Sequence, residues 1–222
     1  MMYTQRSKKG SIEPLTLALG AIMSLFSQLE ELQWKQLQHD EKYHKDIWLL
    51  PVQQRITHMV LHLAKYNAQL SVAAFENNSD AFKKGIVDSL IIIISACNIF
   101  NSRIFDIALS DSEKECSDIR DLVKTIISSQ PNDTRNDLYY LSHQMTLHIG
   151  KMCKATESLD HLESYPFRQS LIESLGKVFR TAITSLYSIT DEDIQSIFSK
   201  RLIGVEKKNM FFSRLGNYDS GY

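Results

Sequence analysis

Leu90-Ile91-Ile92-Ile93-Ile94, continued through Ala96 and Cys97 to Phe100, is the most apolar stretch of the chain and constrains its fold most. From Val87 the run is about 14 residues long, short of the roughly 20 that span a bilayer. It has no polar face, so other elements must surround it. The spacing predicts a helix over 81–102 in the middle of a bundle. Helical spacing recurs on both sides. Leu15, Leu19, Ile22, Phe26, Leu29, Leu32 and Leu37 predict one long helix from Pro14 to about residue 40. Pro51 starts a second, running to about Glu76, and Trp48-Leu49-Leu50 before it reads as a loop whose tryptophan packs back on the core.

Asn77-Asn78-Ser79-Asp80 is a turn cluster with a good N-cap for the apolar helix. Further on, a short helix is expected within 103–111, then an amphipathic helix over 112–128 with Ile119, Leu122, Val123, Ile126 and Ile127 inward. Three more follow over 137–163, 167–188 and about 194–212, the last capped by Thr190-Asp191-Glu192-Asp193. No alternating pattern of useful length occurs, so the expected class is all-α, a helical bundle. Residues 1–12 are expected to be disordered and 213–222 a mobile tail. Ser129-Gln130-Pro131-Asn132-Asp133 divides a first helical half (13–130) from a second (131–212).

The chain has 222 residues, 43% of them hydrophobic, which suffices for one sizeable core or two small ones. With 25 basic and 26 acidic side chains, nothing in its balance calls for nucleic acid or an anionic membrane. Cys97, Cys116 and Cys153 are odd in number and widely spaced, which argues against a disulfide framework or a zinc site and for a reducing, cytoplasmic setting. Leu15 to Phe26 follows basic residues as a signal peptide would. It lacks a small-residue cleavage site and runs on into an amphipathic pattern, so a buried helix is expected there.

The two halves are alike. His62-Leu63-Ala64-Lys65 answers to His148-Ile149-Gly150-Lys151, and the segment Phe82 to Leu90 answers to Phe167 to Leu175. A duplicated helical hairpin accounts for this, with residues 52–102 and 138–188 packed face to face as a pseudo-twofold four-helix bundle.

A helix, a gap of about 20 residues, and then Asp88-Ser89-Leu90-Ile91-Ile92-Ile93-Ile94-Ser95-Ala96-Cys97-Asn98 resembles the all-α, MazG-like nucleoside triphosphate pyrophosphatases. The resemblance covers roughly residues 52–105 and, more weakly, 138–212. It implies carboxylates on two helices that hold magnesium, which binds the triphosphate and activates water, and a basic C-terminal helix on the phosphates. On this chain it points to Asp88 and Glu173 as the acids, and to Lys200, Lys207, Lys208 and Asn209 as the basic end. The partner positions of the two acids are Gly85 and Ser170, and the first helix carries His62, Lys65 and Gln69 where its acids would stand. Magnesium needs several hard oxygen ligands, so no bound metal or other cofactor is expected, and hydrolysis is expected to be weak or absent.

His58, His62 and Lys65 share one helical stripe with Arg55 and Gln69. Three readings stand for it: a solvent face, a histidine pair for a transition metal with Lys65 opposing, or an anion site doubled by His148, Lys151 and Lys154. Asp88 is either a first-turn acid favoured by its helix dipole or a partner for Lys65 across the hairpin. The charged stretch from His39 to Lys45 is expected to be a solvated helix end rather than a metal cluster. The expected function is nucleotide or phosphate binding with little or no pyrophosphohydrolase activity, in a chain that can also self-associate. The alternatives are a non-catalytic interaction or scaffold protein and a true magnesium pyrophosphatase with rearranged ligands.

Overall fold

Residues 23–130, 137–161 and 163–208 are described by the computed structural model, and among them every regular element is a helix. The expected disorder at 1–12, the start at Pro14, the tail at 213–222 and Asn209 lie outside the described residues. Helix α1 spans Leu25–Tyr43, with Ser24 in extended backbone accepting a hydrogen bond from the Ser27 N–H. It therefore begins at Leu25, because a capping serine ends the helical run on its N-terminal side. A single turn, α2 (Lys45–Trp48), ends on the tryptophan, and Leu49-Leu50 form the expected non-helical link to Pro51. Pro51 precedes α3 (Val52–Phe75), and α4 (Ser79–Ile99) carries the apolar run.

Helices α5 (Ile104–Ala108), α6 (Asp111–Lys114) and α7 (Ile119–Ser128) follow, with α5 and α7 packed on α9 and α1. The helix expected over 112–128 is thus two helices. Ser110 and Glu113 form a capping box for α6, and Asp118 caps α7 by accepting from the Asp121 N–H, so each polar side chain takes over a backbone group that a continuous helix would need. Helices α8 (Leu138–Asp160), α9 (Phe167–Ile189) and α10 (Ile194–Glu206) complete the chain, the last capped by Asp193 and ending at Lys207, short of residue 212.

Helices α3 and α4 form one antiparallel pair and α8 and α9 another, with α3 lying on α8 and α4 on α9. The apolar helix is the most enclosed. It also takes α1 and α10 on its remaining face, and Phe82, Ile86, Leu90, Ile93, Ile94 and Cys97 are inaccessible to solvent. Burial pushes the Cys97 thiol up to about 12, so it stays a packed, protonated core group. Asn77 and Asn101 take positive φ (49° and 50°) just past α3 and α4. In each case the next residue's N–H reaches back to the third-last helical carbonyl, Asn78 to Ala73 at 2.8 Å and Ser102 to Cys97 at 3.0 Å. These are Schellman ends with asparagine in the left-handed position. No helix of the described residues is long and apolar enough to cross a membrane.

Candidate functional site

The C-terminal end of α1, the single turn α2, the first half of α3 and the C-terminal half of α4 enclose a cavity of about 100 Å³ that opens to solvent. Helical spacing puts Arg55, His58, Met59 and His62 of α3 on one wall, and Ile91, Ile92, Ser95 and Ile99 of α4 on another. Gln36, Asp40 and His44 close it from α1, and Trp48 from α2. The corner between α1 and α3 makes this possible. His44 caps α1 with its N–H on the Asp40 carbonyl, α2 turns the chain, and Pro51 sends α3 back.

Asp40 is fixed from two sides. Gln36 Nε2 donates to its Oδ1 at 2.8 Å, and Ser95 Oγ donates to its Oδ2 at 2.7 Å. The Arg55 guanidinium lies 4.9 Å from the centre of the Trp48 ring, a cation–π contact that holds its charge at the cavity. The rings of His58 and His62 are 4.4 Å apart. Burial lowers His62 to about 4, with Lys65, His58 and His44 adding repulsion, so at neutral pH its imidazole is uncharged. Burial also lowers His44, against the pull of Asp40. Gln36 Oε1, Arg55 Nε and His62 Nδ1 are buried at this cavity without a hydrogen-bond partner.

His39 stands behind Asp40. Its side chain is 4% exposed, with Nδ1 3.8 Å from Asp40 Oδ1 and Nε2 3.5 Å from Glu206 Oε1. Neither ring nitrogen makes a hydrogen bond. His39, Asp40 and His44 each bring a ligand atom within 4.8 Å of the others'. Of the stretch expected to be a solvated helix end, Glu41, Lys42 and Lys45 are exposed as expected, while His39 is buried and Asp40 half-buried because α4 and α10 pack on α1.

Of the residues that the sequence singled out, His58 and His62 reach the cavity, together with their stripe-mate Arg55. Lys65 does not face Asp88. It is exposed, with its ammonium 4.3 Å from the Tyr66 ring centre. Asp88 lies deep in α4, not in its first turn, and its partner is Arg201 of α10, through two parallel bonds of 2.5 and 2.9 Å. Glu173 is exposed and accepts from Gln169 within α9. Lys200 pairs with Glu192, and Lys207 and Lys208 are exposed.

His148 of α8 repeats the situation of His62 away from the cavity. Its Nδ1 is buried without a partner, and burial lowers it with Lys151 and Lys177 adding to the effect. The acid expected from the resemblance is thus committed to an arginine, and Gly85 is no vacated acid position: a Cβ there would stand 2.8 Å from Leu70 of α3. Sequence reasoning missed Gln36, Asp40 and Ser95 as a group. The two histidines flanking Asp40 were the signal available. No protein-family model, curated protein or solved structure matches this chain.

Proposed function

We propose that this chain is a MazG-like helical protein that binds a phosphate-bearing small molecule in the cavity between α1, α3 and α4, without hydrolysing it at an appreciable rate. The observation that carries the reading is the pair of buried donor-capable atoms without partners, Arg55 Nε and His62 Nδ1, on residues that line one cavity. Each such atom left unpaired costs about 1–3 kcal/mol, so a ligand that engages them recovers energy already spent in folding. Arg55 supplies the charge, and a guanidinium suits phosphate because its donors are arranged as a fork. The cavity, about 100 Å³ and open to solvent, has room for a phosphoryl group.

Matching burial at paired positions is in keeping with a duplicated helical hairpin. Leu63 and Ile149 are both buried, Lys65 and Lys151 both exposed, and burial lowers both His62 and His148. Buried Leu90 answers to buried Leu175 in the same way. Little supports hydrolysis, since Asp88 is held by Arg201 and Glu173 lies on the surface.

Isothermal titration of the chain with inorganic phosphate, AMP and ATP tests the reading. Binding should weaken by about 10- to 100-fold in Arg55→Gln, the worth of a charge-assisted bond. Equal binding by the variant, or none by the parent, would sink it. A second reading, an interaction protein or homo-oligomer, is favoured by the outer face of α3, where Leu61, Val72 and Phe75 stand exposed on one stripe. Light scattering that gives more than one chain mass, reverting to one in Phe75→Lys, would favour it.

A further inference from the structure

We infer that His39, Asp40 and His44 form a binding site for one divalent first-row transition-metal ion, with its remaining positions open to the cavity. The ligand atoms of the three already lie within 4.8 Å of one another, and two imidazoles with one carboxylate are a donor set that such ions take and that magnesium and calcium do not favour. His39 supplies the independent sign. It is buried, and neither ring nitrogen is hydrogen-bonded. The wasted hydrogen-bonding capacity is explained if Nδ1, on the Asp40 side, binds metal while Nε2–H turns to Glu206, 3.5 Å away. A carboxylate behind a ligating histidine fixes its tautomer and raises its basicity. Gln36 and Ser95 do the same for the Asp40 carboxylate, which keeps lone pairs free beside the two bonds it accepts.

His44 and Asp40 also line the cavity, so an ion held there would face it with exchangeable positions, as three-ligand sites do. Arg55 on the same cavity would oppose the cation and help hold an anion bound to it. The metal site does not rest on the phosphate reading, and it differs from the acids Asp88 and Glu173 that the resemblance indicated.

Untagged full-length chain, stripped with chelator and exchanged into phosphate-free buffer, is dialysed against Zn²⁺ or Co²⁺, and retained metal is measured by elemental analysis and visible absorption. One equivalent per folded chain is expected, with d–d bands for Co²⁺. His44→Ala and the isosteric Asp40→Asn should each weaken retention by at least about tenfold. His161→Ala, at an exposed histidine paired with Glu157, should not. His44→Ala that fails to fold leaves Asp40→Asn to decide. No retained equivalent in the folded parent, or parent-like retention in the folded variants, overturns the inference. Phosphate binding through Arg55, titrated in metal-free chain, stands or falls separately.

Discussion

At the scale of single residues, two ion pairs govern the buried charge of the molecule. Asp88 and Arg201 join α4 to α10, with the carboxylate almost fully enclosed and the guanidinium partly wet. Removing one partner strands the other, which costs about 3 kcal/mol when the survivor is buried. Arg201→Met should therefore lower the unfolding free energy by about that much, while Arg201→Met with Asp88→Leu should recover most of it in a urea-denaturation cycle. A chain in which the two losses simply add would show that the pair is not coupled. Glu113 is the second case. Burial pushes its carboxyl up, but Arg180 at 2.5 Å and the Ser110 N–H at 2.8 Å outweigh that and bring it down to about 2. A carboxyl depressed on folding contributes stability that is complete above its ordinary range, near 4.5, and lost as pH falls from there toward 2. The parent should lose on the order of 2 kcal/mol more than Glu113→Gln between pH 6 and pH 2.5, the contribution being moderated by the solvent that reaches Arg180. Parallel pH profiles would contradict this.

At the scale of elements, helix packing sets tighter limits than helix propensity. Gly176 of α9 lies against the α5 backbone, and a Cβ there would fall 2.4 Å from the Ile107 carbonyl oxygen. Backbone cannot swing aside as a side chain can, so Gly176→Ala should destabilise by about 1–3 kcal/mol despite alanine's better helix propensity. Thermal melts would show it, and a neutral or stabilised variant would mean that α5 moves freely. Gly150 and Gly204 have open space at the Cβ position, and alanine there should be tolerated. The helices were legible because period and punctuation agree: the Asn77 turn, Pro51, Asp193 and the apolar run all mark real boundaries or a real core. Local pattern misled where two polar side chains, Ser110 and Asp118, could cap separate helices within one periodic stretch. The site was half legible. Arg55, His58 and His62 share a stripe that period alone reveals, but whether the stripe meets water or another helix depends on where α1 ends. His39 and Asp40 read as a solvated end because α4 and α10, distant in sequence, are what bury them. Neither reading of Asp88, first-turn acid or partner of Lys65, could have a local sign that Arg201 arrives from α10.

At the scale of the whole molecule, α3–α4 and α8–α9 make a four-helix ring, and α1, α2 and α10 add a corner on one side only. That corner encloses His62, whereas His148 of α8 does not line this cavity. We propose that the polar cavity at this corner is where the protein meets its ligand. Heteronuclear NMR of the ¹⁵N-labelled chain during titration with inorganic phosphate tests it most directly. The largest shifts are expected at the Arg55 Nε–H, the Gln36 side-chain amide, the Trp48 indole N–H and the backbone amides of α2. Shifts centred instead on α10 around Lys200, or scattered over exposed lysines with no saturation, would contradict it.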